Sequence, residues 1–149
     1  MGLVYAEIEL MSVFDIISAK HHIIGEEEIK RMNVTMLVDT GCMYLCINEN
    51  IREFLQLETL YRKKGVLANG EIVEYDIVGG VDVRFQNRRC QIDAMVLPEG
   101  NELLLGVIPM EAMDVLINPV RQELVVNPES PEMALLKLKG IRPFPKRRA

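Results

Sequence analysis

The chain has 149 residues, 49% hydrophobic and 26% charged, with a net charge of −5. That balance predicts one soluble globular domain with its own core, and excludes disorder and a dependence on disulfide or metal staples. The acidic surplus speaks against a nucleic-acid partner, whose affinity rests on neutralised phosphates, and no stretch approaches the roughly 20 apolar residues of a membrane span.

The start, MGLVYAEIELMSVFDII, interleaves Glu7, Glu9 and Asp15 with apolar residues, unlike a signal peptide. The three cysteines are therefore expected as free thiols, in a reducing cytoplasm. Val4 to Leu10 alternates apolar and polar residues with the period of a strand that has one buried face, and Val81 to Phe85 and Gln91 to Val96 repeat the pattern. Phe14 to Ile24 is a candidate helix, with His21 and His22 expected on its surface or on a loop. Two apolar runs follow, TMLV and MYLCI, separated by Asp39-Thr40-Gly41-Cys42. Asn48 can cap a helix over 49–55, whose Ile51, Phe54 and Leu55 share one face. Ala68-Asn69-Gly70 lies in a hairpin signal, and Gly79-Gly80 marks a turn or bulge. Pro109 is expected at the first position of a helix over 110–116. Asn127-Pro128-Glu129-Ser130-Pro131 then ends the regular fold. An amphipathic stretch, Met133 to Leu138, and a basic tail with Lys146-Arg147-Arg148 follow, the tail read as a solvated terminus. Strand signals dominate, so the fold class is mainly β, and no internal repeat is present.

Asp39 is the residue that asks for an explanation. A carboxylate between two apolar runs is costly unless a turn exposes it or chemistry uses it. Gly41 permits such a turn and lets a backbone N–H approach the carboxylate. Asp-Ser/Thr-Gly alone is weak, with on the order of 0.06 chance matches in a chain this long at average composition, and an Asp that merely caps a turn is the plain alternative. The chemical reading starts from amide hydrolysis, which needs a base to activate water and an acid to protonate the carbonyl oxygen or leaving nitrogen. Two carboxylates within about 3 Å share one proton and divide these roles. With one Asp-Thr-Gly and no repeat, the second must come from another copy of the chain, so a homodimer is expected.

Other chemistry is weaker. With 42–46 taken as extended, the sulfurs of Cys42 and Cys46 are expected about 13 Å apart at roughly 3.3 Å per residue, too far for one ion or a disulfide. No metal or cofactor is therefore expected. Cys42 also lacks the neighbouring His and third group of a thiol hydrolase.

The segments VYAEIEL, EEEIKRMNVTMLVDTG, LANGEIV and LLLGVIPMEAMDVLINPVRQELVVNPESP, in this order, resemble the single-domain, retroviral-type aspartic peptidases, specifically their small prokaryotic relatives. Leu104-Leu105-Gly106 resembles that family's apolar-apolar-Gly element. The resemblance implies a closed, orthogonal β-barrel with a flap hairpin and one or two short helices, acting as a homodimer on peptide or protein substrates. It implies Asp39 as the catalytic carboxylate, Thr40 hydrogen-bonding across the two-fold axis, and Gly41 and Cys42 completing the active-site loop. Ala68, Asn69 and Gly70 would form the flap, with Leu105 and Gly106 packed behind the loop. Residues 1–127 would be the peptidase domain and 128–149 an extension. The sequence departs from the pattern in four places. Cys42 replaces the usual Ala or Ser, Asn118 stands where many relatives have Asp, and 12–31 and the chain after Asn127 are additions. The alternative is a catalytically weak or inactive dimeric peptide-binding or scaffolding module of the same fold.

Overall fold

The alternation from Val4 becomes strand β1, Tyr5–Ser12, with Ala6, Ile8 and Leu10 buried and, on the other face, Glu7 exposed and Glu9 half-buried. A computed structural model describes residues 2–145, and Lys146-Arg147-Arg148 of the basic tail lie outside the described residues. Helix α1, Val13–Lys20, follows directly, with the Ser12 side chain accepting from the Asp15 amide. It is shorter than the expected 14–24, because the chain turns at His21 and His22, both exposed. Strand β2, Arg31–Val38, pairs antiparallel with β1, so that Val34 faces Ile8 and Met36 faces Ala6.

A short strand β3, Leu45–Ile47, precedes α2, Glu49–Leu55, where Asn48 caps through its side chain to the Ile51 amide at 2.9 Å. Ile51 and Leu55 are buried as expected, but Phe54 stays about half exposed. Strands β4, Glu58–Val66, and β5, Ile72–Phe85, form a long antiparallel hairpin. Strand β6, Arg88–Val96, returns along β5. Their register slips by one residue between Val78 and Val81, which is the bulge expected at Gly79-Gly80. Strand β7 is only Leu104–Leu105.

Helix α3 spans Val107–Met113 and strand β8 Val115–Asn118, which corrects the expected helix over 110–116. Pro109 is the third helical residue rather than the first. A proline is tolerated there because the first-turn amides have no partner inside the helix. Asp114 ends the helix in a left-handed conformation, φ 54°. Strand β9, Glu123–Val126, pairs with β8 in a separate two-stranded sheet. The described residues thus hold three short α-helices, one for each candidate read from the residues, where the resemblance implied one or two.

The main sheet runs β1-β2-β7-β3-β6-β5-β4, and β1 also pairs with β5. That second pairing, from Glu9↔Arg84 to Ser12↔Val81, closes six strands into a barrel and leaves β4 outside the closure. Closure removes the open edges that those six strands would otherwise present to water, and β4, paired with β5 alone, keeps one. Ile8, Met36, Leu45, Val83, Ala94 and Leu105 meet in one core. No helix of the described residues is long and apolar enough to cross a membrane.

Beyond Val126 there is neither helix nor strand among the described residues. The segment is nonetheless tied down. The Asp114 carboxylate accepts from the Ser130 hydroxyl at 2.5 Å, the Leu135 amide at 2.9 Å and Asn127 Nδ2 at 3.0 Å. Asn87 Nδ2 donates to the Pro131 carbonyl, and the buried Arg88 guanidinium donates to the Ser130 carbonyl. Met133, Leu135, Leu136 and Leu138 remain exposed.

Candidate active site

Asp39 sits where β2 runs out of the barrel. The strand buries Val34, Met36 and Val38 on alternate positions, and the chain then turns at Thr40-Gly41, so Asp39 emerges at the rim, partly exposed. Two hydrogen bonds fix its backbone: its N–H donates to the Leu105 carbonyl at 3.0 Å, and its carbonyl accepts from the Cys42 N–H at 3.2 Å. Its carboxylate oxygen Oδ1 accepts from the Gly41 N–H at 2.9 Å. A Cβ on residue 41 would stand 3.2 Å from that oxygen, so glycine keeps the approach open. The other oxygen, Oδ2, makes no hydrogen bond among the described residues, leaving it open to solvent chemistry.

The Leu104-Leu105-Gly106 element is built into this turn. β7 lies between the strand that enters the turn and the strand that leaves it, parallel to β2 through Val38↔Leu105 and antiparallel to β3 through Leu45↔Leu105. Leu105 is fully buried. Gly106 comes so close that a Cβ there would meet the Tyr44 carbonyl oxygen and lie 2.6 Å from that of Cys42. Three successive amides at the start of α3 then hold three carbonyls of the loop: Gly106 to Tyr44 at 3.0 Å, Val107 to Cys42 at 2.8 Å and Ile108 to Met43 at 3.0 Å. The helix has no side-chain cap. Its otherwise unsatisfied donors are satisfied by the loop that follows Asp39, so helix and loop stabilise each other.

This clamp overturns the expected separation of Cys42 and Cys46. Residues 42–44 are bent rather than extended, since their carbonyls all turn toward α3, and strand pairing starts only at Leu45. The two sulfurs lie 3.7 Å apart, close enough for a covalent bond after a small movement. Burial, together with the neighbouring Cys42 thiol and Asp39 carboxylate, pushes the Cys46 thiol well up from its ordinary value.

The hairpin signal also folds as read. The Gly70 N–H donates to the Leu67 carbonyl at 2.9 Å, the Leu67 N–H to the Glu71 carbonyl at 2.8 Å, and Gly70 has φ +86°. This is a three-residue loop, Ala68-Asn69-Gly70, with the glycine in the left-handed position. Asn69 Oδ1 accepts from the Glu71 amide. The outer part of the hairpin exposes residues on both faces of β4. Among the described residues no hydrogen bond joins its tip to the Asp39 turn. The link lies nearer its base, where Lys63 Nζ donates to the Tyr44 hydroxyl at 3.0 Å and stands 4.9 Å from the ring centroid. The bond to Tyr44 holds the Lys63 ammonium above its ordinary value.

Tyr44 and Lys63 are residues that sequence reasoning missed. Tyr44 could have been noticed as a hydroxyl next to the Asp-Thr-Gly turn, but its partner follows only from the hairpin register. Asn118, expected to differ from its relatives, accepts from the Val120 and Arg121 amides at 3.0 and 3.1 Å and so shapes the β8–β9 turn. Thr40 is exposed and borders an open hollow of about 320 Å³ with Val107, Met110, Glu111, Leu116 and Ile117.

Comparison with known proteins agrees with this geometry. A family model described as aspartyl protease matches residues 26–108, more than half of the chain and a span that contains both the Asp39 turn and Leu104-Leu105-Gly106. No curated protein matches. Among solved structures, the chain is similar to the retroviral protease-like domain of Ddi1 from Leishmania major, with a TM-score of 0.52 and 13% identity over 86% of this chain and 90% of that one. At that identity the likeness establishes the fold, a retropepsin-like barrel. With the family model spanning the turn that presents Asp39, the conclusion is that the chain belongs to the aspartyl protease family and has a peptidase-type function.

Proposed function

We propose that two copies of the chain form a homodimer that hydrolyses peptide bonds with water activated between their two Asp39 carboxylates, in a reducing cytoplasm. The observation that carries this reading is the presentation of Asp39: a partly exposed carboxylate with one oxygen held by Gly41 N–H, on a turn clamped by Leu105 and by the start of α3. A chain with one such turn supplies half of an acid–base pair. Two of them facing across a two-fold axis share a proton, because like charges a few ångströms apart do not both ionise. The ionised partner takes a proton from the water, whose oxygen attacks the scissile carbonyl carbon. The protonated partner gives its proton to the carbonyl oxygen. The resulting tetrahedral diol collapses as a proton passes to the leaving nitrogen and the C–N bond breaks. No metal, cofactor or covalent intermediate enters these steps.

The other residues take supporting roles. Thr40, whose side chain makes no hydrogen bond among the described residues, bonds across the axis and locks the two loops together. Gly41 and Cys42 shape the loop, and Leu105 and Gly106 hold it from behind. Ala68, Asn69 and Gly70 form the flap tip that closes over the substrate and excludes water. The apolar hollow beside Thr40 and the β8–β9 hairpin, which pairs with no third strand among the described residues, support a partner surface on this side. Residues 1–127 form the peptidase unit and 128–149 its extension.

A peptide-library digest over about pH 3 to 8 tests the reading. Wild type is expected to cleave, and Asp39→Asn to lose activity by on the order of 1000-fold or more. Cleavage untouched by the substitution overturns the assignment of Asp39. A strictly monomeric species at micromolar concentration in sedimentation overturns the shared site. Binding of library peptides by a dimer that never cleaves them leaves the peptide-binding module.

A further inference from the structure

We propose that Cys42 and Cys46 are a site of reversible oxidation, joined as an intrachain disulfide by peroxide, and that this bond disables the Asp39 turn. The bond itself rests on the geometry of the two thiols, and its effect on hydrolysis rests on the peptidase reading given above.

The sulfurs stand 3.7 Å apart and must approach by roughly 1.6 Å to reach the about 2.05 Å of a disulfide. The two residues differ in access. Cys42 is half-buried on the loop, whereas Cys46 is buried in β3 beneath it. Cys42 is therefore the thiol that meets an oxidant first, and Cys46 the one that resolves it. In the first step the Cys42 sulfur attacks one peroxide oxygen, the O–O bond breaks, and hydroxide leaves and takes up the thiol proton as water. Cys42 is now a sulfenic acid. In the second step the Cys46 sulfur attacks the Cys42 sulfur, the S–O bond breaks, and the departing hydroxide leaves as water with the Cys46 proton. The sum is two thiols and one hydrogen peroxide giving one disulfide and two waters, the sulfurs oxidised and the peroxide reduced. Burial keeps the Cys46 thiol protonated, which protects it from direct oxidation, so Cys46 attacks only as its proton passes to the hydroxide leaving the adjacent Cys42 sulfur.

The structural consequence follows from the clamp. Cys46 is anchored in β3 by pairing with Leu104 and Met95, so the loop is the part that moves. Cys42 supplies the amide that holds the Asp39 carbonyl and the carbonyl that accepts from Val107. Pulling it toward Cys46 strains both bonds and shifts the carboxylate relative to its partner. A misplacement of about 1 Å can cost on the order of 100-fold in rate, so an expected loss of roughly tenfold or more is conservative.

The experiment uses the full chain, reduced and then exposed to hydrogen peroxide. Trypsin leaves both thiols in one peptide, 32–52, and puts Cys90 in another, 90–121. The expected result is the loss of two hydrogens from peptide 32–52, reversed by dithiothreitol, before Cys90 takes up oxygen. Hydrolysis should fall by roughly tenfold or more and recover on reduction. In Cys46→Ala, Cys42 should instead advance to sulfinic acid, which dithiothreitol does not reverse. Independent oxygen uptake by Cys42 and Cys46 in wild type, or a bond formed only between chains, overturns the site. A disulfide that leaves an active enzyme at full rate overturns the switch. Hydrolysis by the reduced wild type, compared with Asp39→Asn, reports on the peptidase reading separately.

Discussion

At the scale of single residues, the site depends on contacts that admit no substitution in kind. Gly106→Ala places a methyl against the carbonyl oxygens of Tyr44 and Cys42, both of which are held by backbone hydrogen bonds and have little room to yield. It is expected to cost about 3 kcal/mol in urea unfolding, at the upper end for overpacking, and to reduce hydrolysis more than stability alone explains. Asp114 is the opposite case, a charge whose neighbours all donate to it. The Ser130 hydroxyl, the Leu135 amide and Asn127 hold its carboxyl down to about 2, below the roughly 3.9 of an unfolded Asp. Its contribution is thus complete above about pH 4 and is lost as the pH falls toward 2, when protonation favours the unfolded chain. The Leu135 amide, which donates to this carboxylate, is expected to lose protection from hydrogen exchange across that window. In Asp114→Asn the protection should be low at every pH. Neither residue announces itself in sequence. Gly106 is legible only as part of a motif, and the partners of Asp114 lie 13 to 21 positions away.

Elements were legible where their own residues decide them. The Asn48 cap, the Asn69-Gly70 turn and the alternation of β1, β5 and β6 are local signals, and each forms the element read, although Asp82, on the polar face of the β5 pattern, is fully buried and accepts from Arg84, Arg89 and Gln91. Helix α3 was displaced by three residues because its start is set by the loop it caps, Gly106 to Ile108 donating to 42–44, and not by Pro109. The same clamp bends the chain that was expected to extend from Cys42 to Cys46. The hairpin of β4 and β5 should behave as a separable element, since its outer arm lies outside the closed barrel. Gly70→Ala forces a side chain into φ +86°, at a cost of about 1 kcal/mol. The cost is expected in the hairpin alone: faster amide exchange at Leu67 and Gly70, with the global Tm lowered by less than about 2 °C. On the proposed function, in which the tip closes over substrate in a homodimer, KM should rise with no change in sedimentation.

For the whole molecule, the chain after Asn127 is fastened to the barrel by hydrogen bonds to Asn87, Arg88 and Asp114. Arg88 is buried beneath Ser130, and Asn87 reaches Pro131, so the segment after Asn127 covers one end of the barrel. Truncation after Asn127 removes the acceptor from a buried guanidinium and two donors from Asp114. A loss of about 2 kcal/mol is expected, read as a Tm lower by roughly 6 °C. An unchanged Tm would show the segment to be an idle tail. The exposed Met133, Leu135, Leu136 and Leu138 belong to this same segment, so the truncated chain should also be compared with wild type for dimer affinity by sedimentation.

By itself the sequence determined the β-rich class, the turn at Asp39 and the second motif at Leu104-Leu105-Gly106, because period, turn chemistry and apolar runs act over a few residues. Only the tertiary structure decided that the second motif is the wall of the first turn, that β1 closes the barrel on β5, and that Cys42 and Cys46 are neighbours. Each of these depends on backbone hydrogen bonds between segments distant along the chain, whose donors and acceptors are the same in every residue. Such bonds leave no trace in side-chain pattern, so the loop that presents Asp39 could be located from its letters but its shape could not.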